Sequence, residues 1–178
     1  MSLIVYQVTQ EEHIDRKLGE ESELIQFGSL PQLFDLVKMG SDPSGNGEAA
    51  SLWKVAHIET YHCADETLYL VMVSRADLTV ADRAEWTESV MKGDYPNISF
   101  YMQLSPERSV LTYGWSMEGK APTGRLKSYS PVGEGTLMKA EPRPWIIDRT
   151  DAYSPVGAGI YTAIHLCWCS PVKVAIAA

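Results

Sequence analysis

Between Leu52 and Met117 two period-2 apolar segments, a capped helical stretch and two more period-2 segments follow one another with little spacer. Alternation with a period of two places successive side chains on opposite faces of a strand, so this order commits the middle of the chain to β-structure with a helix in one connection. Asn97 to Leu104 is the clearest case, with Ile98, Phe100, Met102 and Leu104 alternating against Asn97, Ser99, Tyr101 and Gln103. Ser105-Pro-Glu-Arg108 reads as a type I turn, and Val110 to Met117 returns as an aromatic-rich strand. Upstream, Trp53, Val55, His57, Glu59 and Tyr61 share one strand face by strict alternation, and Leu68 to Val73 is a continuous apolar run. Cys63-Ala-Asp-Glu66 between them predicts a hairpin or crossing loop.

Two helices are expected. Thr79-Val-Ala-Asp82 opens one with a capping-box arrangement in which Asp takes the place of Glu or Gln. The other spans Ser29 to Gly40, where Ser29 can cap, Pro31 suits a first turn, and Leu30, Leu33, Phe34 and Val37 recur at helical spacing. Leu3 to Thr9 predicts a strand, Gln10 to Glu23 a charged segment, and Ser41 to Gly47 an exposed loop. In the last third, Tyr129-Ser-Pro-Val-Gly-Glu-Gly135 and Tyr153-Ser-Pro-Val-Gly-Ala-Gly159 are copies of one turn sequence, each leading into a strand. Those strands are Thr136 to Ala140 and Ile160 to Trp168, with Pro144 to Arg149 between them and Val172 to Ile176 as an edge. The fold class that follows is mainly β, an antiparallel β-sandwich or jelly roll with two short helices; the alternative is α+β with an antiparallel sheet. All 178 residues fit one domain, with residues 1–47 as an N-terminal arm or extension carrying one helix.

Composition narrows the function classes. With 45% apolar and 21% charged residues the chain can bury a core. A formal net charge of −8, with Glu11, Glu12, Asp15, Glu20, Glu21 and Glu23 near the start, is the wrong sign for a non-specific phosphate-binding surface. Cys63, Cys167 and Cys169 match neither a disulfide framework nor a CxxC pair, which suits free thiols in a reducing compartment. No basic leader followed by an apolar stretch and no membrane-length apolar run occurs, so the expectation is a soluble intracellular or virion product without membrane contact.

Four residues offer metal-ligand chemistry at alternate strand positions: His57 with Glu59, and His165 with Cys167. Imidazole, thiolate and carboxylate all suit zinc, but cysteine is also among the commonest buried residues, and ordinary packing is the competing use. The same histidines beside Cys63 or Cys167 raise a Cys–His nucleophile, which needs a lowered thiol pKa. Gly133-Glu-Gly135 and Gly157-Ala-Gly159 lack the third glycine and following helix of a nucleotide-binding turn. No catalytic residue and no cofactor is assigned. Trp53, Tyr113, Trp115, Trp145 and Trp168 are expected as core or interface anchors.

The strand order Leu52 to Tyr61, Leu68 to Ser74, a helix opened by Asp77-Leu-Thr-Val-Ala81, and Asn97 to Met102 resembles the jelly-roll coat proteins of small non-enveloped positive-strand RNA viruses. Trp145-Ile-Ile-Asp148, Gly157-Ala-Gly159 and Ile160 to Cys167 are similar to the closing strands of that fold. The resemblance implies a non-enzymatic, self-assembling structural protein, a viral or phage capsid component whose partners are copies of itself. Many such proteins carry a basic N-terminal arm for RNA; this chain begins acidic, so any nucleic-acid contact would not run through such an arm. Two other readings compete: a small intracellular enzyme or ligand-binding module using His57, Glu59, His165 and Cys167, and an acidic inhibitor that masks a basic partner surface.

Overall fold

The computed structural model describes residues 2–8, 24–26, 29–38, 52–75, 77–91, 98–108, 110–116, 119–120, 125–129 and 142–171. Its elements are β1 (Ser2–Val8), β2 (Leu24–Gln26), β3 (Leu36–Lys38), β4 (Leu52–Cys63), β5 (Glu66–Arg75), α1 (Val80–Met91), β6 (Ser99–Leu104), β7 (Val110–Ser116), β8 (Arg125–Tyr129), β9 (Pro142–Pro155) and β10 (Ala163–Pro171). The chain is mainly β, as its alternating segments require. It divides into two compact units: Met1–Tyr95 with Pro155–Ile160, and Pro96–Ser154 with Tyr161–Ala178.

In the first unit β1 lies parallel to β5 and antiparallel to β2, while β4 is antiparallel to both β5 and β3. The order is β2-β1-β5-β4-β3. The pairing is therefore not the purely antiparallel one of a sandwich or jelly roll, because each unit's sheet has a parallel pair at its centre. A bulge at Ala56 shifts the β4 register, since Val55 faces Val73 whereas His57 faces Met72. One inserted residue exchanges the two faces. Trp53 and Val55 consequently share a face with Ile58, and Val55 joins Ile4, Tyr6, Val71 and Val73 in an apolar cluster against which Val37, Trp53, Ile58 and Tyr69 pack. His57, Glu59 and Tyr61 turn to the opposite face, beside Met72, Leu70 and Leu68. The single face that strict alternation gives to Trp53, Val55, His57, Glu59 and Tyr61 is thus split in two.

The hairpin at Cys63–Glu66 forms as expected, with Ala64 in the left-handed region at φ 51°. Thr79 and Asp82 cap α1 reciprocally: the Thr79 amide donates to Asp82 Oδ2 at 3.0 Å and the Asp82 amide to Thr79 Oγ1 at 3.2 Å. The helix expected over Ser29 to Gly40 does not form. Phe34 takes φ 69°, its amide donates to the Val55 carbonyl, the Val55 amide donates to the Asp35 carbonyl, and Leu36–Lys38 continues as β3. An isolated helix of this length is marginal, and the ladder of β4 supplies the same backbone groups with partners inside a sheet. Leu30 and Leu33, which would have formed the buried stripe, stand exposed.

The second unit repeats the first strand for strand. Its order is β7-β6-β10-β9-β8, with β6 parallel to β10 and every other pairing antiparallel. The registers coincide as well. Leu3 faces Leu68, which faces Tyr61; Phe100 faces Ile164, which faces Tyr153. β9 carries its own extra residue, Asp148, between the pairs Trp168–Arg149 and Cys169–Ile147, where β4 carries Ala56. Aligning the bulges superposes Trp53-x-Val55-x-His57-x-Glu59-x-Tyr61 on Trp145-x-Ile147-x-Arg149-x-Asp151-x-Tyr153 at one constant offset. Tryptophan, aliphatic, base, acid and tyrosine recur in the same places, and Val37 opposite Trp53 matches Leu126 opposite Trp145.

One face of the second sheet is an ordinary core: Phe100, Met102, Leu104, Ile164, Leu166 and Tyr153 are buried, and Tyr161 stacks on Phe100 with ring centroids 5.4 Å apart. The Ser105–Arg108 turn closes with the Arg108 amide donating to the Ser105 carbonyl at 2.9 Å. The expected segments at Gln10 to Glu23, Ser41 to Gly47, Gly133 to Gly135, Thr136 to Ala140 and Val172 to Ile176 lie outside the described residues.

Candidate functional site

His57 and Glu59 meet in the first unit. Their side chains point the same way because they alternate along β4 beyond the bulge, and His57 Nε2 lies 3.1 Å from Glu59 Oε1. Glu59 is 6% exposed and accepts three further hydrogen bonds: from the Tyr61 hydroxyl to Oε2 at 2.6 Å, and from the Ile160 amide to Oε1 at 2.9 Å and Oε2 at 3.1 Å. The Val156 amide adds a bond to the Thr60 carbonyl, so this carboxylate fastens the segment Pro155–Ile160 along β4. A buried carboxylate is tolerated when its lone pairs are filled in this way. The work it does is architectural, holding three donors at once.

In the second unit the matching pair is Arg149 and Asp151, 3.0 Å apart. Asp151 Oδ2 also accepts the Trp168 indole N–H at 2.7 Å, and the Arg149 guanidinium sits 5.3 Å from the Trp168 ring centre. The same strand position therefore holds a base–acid pair in both units, buried in the first and half open in the second. Simple alternation along the sequence does not separate these residues from the core; the shared offset between the two Trp-to-Tyr stretches is the signal that finds them.

His165 and Cys167 lie on one face of β10, as alternation requires, and belong to the other unit from His57 and Glu59. His165 is 8% exposed, and its ring nitrogens make no well-formed hydrogen bond, the Gly119 backbone interacting only weakly with the ring. Burial pushes its pKa down, opposed in part by the nearby Gly119 backbone, so the ring is neutral. Burial pushes the Cys167 thiol up, with the Thr150 side chain opposing and the Asp151 charge adding to the rise. Cys169, donating to the Cys167 carbonyl, is raised to about 11 by burial and by its neighbour Cys167. Both are protonated thiols at neutral pH, the reverse of what a nucleophile requires, and a metal ion would have to displace those protons on binding. Cys63 is half-buried, and His62 shares a hydrogen bond with Thr67 Oγ1 at 3.1 Å. Among the described residues no group of three or more His, Cys, Asp or Glu side chains is placed to hold a metal ion.

The sign of the thiol effect is testable. A thiol whose folded pKa exceeds its unfolded value keeps a proton that the unfolded chain has lost, so stability falls as pH rises from the ordinary thiol range toward about 11. Denaturant titrations across that window are expected to show a steady loss in the wild type and a smaller one in Cys169→Ser. Equal slopes would contradict the burial of this thiol.

No family model, curated protein or solved structure matches this chain. Among the described residues no helix is long and apolar enough to cross a membrane.

Proposed function

We propose that this chain is a non-enzymatic structural protein whose copies assemble with one another, a virion component being the setting that its resemblance to coat proteins favours. The carrying observation is the outer side of β3. Leu36 is 57% exposed and Leu52 is 49% exposed, and they share a face because Leu36 faces Lys54 while Lys38 faces Leu52. Leu30 and Leu33 precede them in the chain, also exposed. Val37, pointing the other way, packs on the core.

The repeat supplies an internal comparison. Arg125 of β8 occupies the position of Leu36 in the second unit's sheet, so a sheet of this design accommodates a charge there. β3 pairs only with β4 among the described strands, leaving its other side able to accept a strand. An exposed strand edge with an apolar face is the ordinary template for pairing with an identical edge. The mixed sheets separate the chain from the all-antiparallel jelly roll, so the reading keeps self-assembly and the structural role without that particular shell fold. The base–acid pairs support the same reading, since both oxygens of Glu59 accept hydrogen bonds and Asp151 ties β9 to Trp168 of β10.

The double variant Leu36→Lys/Leu52→Lys tests this edge. Sedimentation velocity is expected to show the wild type associating with concentration and the variant shifted at least about tenfold toward higher concentration, the equivalent of about 1.4 kcal/mol. Identical association of the two proteins would remove β3 from the interface.

A further inference from the structure

The two units differ most where their architecture is most alike. On the face of the first sheet that holds the apolar cluster, Ile4, Tyr6, Tyr69 and Val71 occupy the central parallel pair. Their register counterparts in the second unit are Tyr101, Gln103, His165 and Cys167, with Ser99 one step further along. Gln103 is 2% exposed, Ser99 and Cys167 are 0% exposed, and His165 is 8% exposed. The face has become polar and has stayed buried.

Its polar atoms are little engaged by the protein. Ser99 Oγ and Gln103 Oε1 lack a hydrogen-bond partner, and the His165 ring nitrogens make no well-formed hydrogen bond beyond a weak interaction with the Gly119 backbone. Because His165 faces Tyr101, between the Ser99 and Gln103 positions, the four atoms belong to adjoining places on two neighbouring strands. A buried polar group without a partner is costly, and several gathered on one face call for an occupant. The fold does not demand Gln103 or His165, since the first unit builds the same five strands with Tyr6 and Tyr69 at those positions; Ser99 is matched there by Ser2. Gly114 sharpens the point. A Cβ at this glycine would stand 2.5 Å from the Tyr101 hydroxyl, whereas the matching register position in the first unit is Ile25. Only a residue without a side chain lets the phenol lie across β7 beside His165.

We propose that this face of the second unit is a binding site for a small uncharged ligand of the carboxamide class, contacted by Ser99, Gln103 and His165. Gln103 Oε1 can only accept; the neutral imidazole offers one donor and one acceptor; the Ser99 hydroxyl does either. The complement is a molecule that both donates and accepts within a short span, as a primary amide does. The positions of β6, β7 and β10 on this face, with Thr150 and Ala152 of β9, carry no Lys, Arg, Asp or Glu, so an ionic ligand there would be buried without an adjacent counter-charge. The protonated Cys167 thiol and the downward push on His165 agree with a site that admits no charge.

The test uses the full chain with 15N-labelled histidine rings and two probes of one shape, acetamide and acetate. Acetamide is expected to shift the His165 ring signals, assigned by their loss in His165→Phe, along a saturable curve that acetate does not reproduce. Gln103→Met, which keeps the volume and removes the acceptor, is expected to raise the half-saturating acetamide concentration about tenfold; should it fail to fold, Ser99→Ala reads the same site. Equal response to acetate would overturn the uncharged-ligand assignment. Absence of any acetamide response in the folded wild type would overturn the site and leave ordered water as the occupant of this face.

Discussion

Replacing Glu59 with alanine is expected to lower the unfolding free energy by about 3 kcal/mol, the scale of losing several charge-assisted hydrogen bonds from a buried group. The variant strands the Tyr61 hydroxyl and the Ile160 amide together, both of which donate to this carboxylate. Glu59→Gln keeps the shape and one acceptor and should cost roughly half as much. The amide of Ile160 provides a local readout, because its hydrogen exchange should accelerate in Glu59→Ala even under conditions where the core of the second unit, at Leu166 and Phe100, remains protected. If Glu59→Ala costs less than about 1 kcal/mol, the carboxylate is not the fastener described, and His57 with Glu59 returns as a candidate reactive pair.

The second large effect concerns the repeat. A chain in which Trp53–Tyr61 and Trp145–Tyr153 are exchanged in register is expected to fold cooperatively with a loss of about 1–3 kcal/mol, the ordinary scale of core changes. Each stretch brings its tryptophan and aliphatic residue to one face, its bulge residue, and its base, acid and tyrosine to the other, so the exchange preserves both faces. The same exchange displaced by one residue sends Tyr61 and Tyr153, both fully buried, to the wrong side and is expected to abolish folding. Circular dichroism with urea titration of both chains separates the outcomes. Equal damage from the two would mean that the shared pattern is not structurally equivalent.

Much of this architecture was legible from the chain. Alternation marked β6 and β7, the type I turn at Ser105 and the Thr79 cap, because each depends on residues close in sequence. The bulges at Ala56 and Asp148 were not legible: a strand with one extra residue reads as an unbroken alternation, and the lack of a purely apolar face from Trp53 to Tyr61 is its only trace. The Ser29 to Gly40 segment has a helical spacing of leucines, yet β4 takes its backbone groups and fixes Phe34 in the left-handed region. The parallel pairing of β1 with β5 joins residues far apart, and nothing local encodes it. The short turn repeat at Tyr129 and Tyr153 is one of identical residues, whereas in the longer one residue types recur with changed identities: His for Arg, Glu for Asp, Val for Ile. Of the four candidate ligands, the two on each strand do share a face, and each pair lies in its own unit. What burial does to them, keeping Cys167 protonated and His165 neutral, depends on neighbours the sequence does not name.

Light scattering after size exclusion, with negative-stain images of the leading peak, reads the assembly of identical copies. Discrete, uniform particles larger than one chain are expected, diminished in Leu36→Lys/Leu52→Lys. A stable monomer across concentration, pH and salt would contradict it and leave the polar face around His165 as the place to look for function.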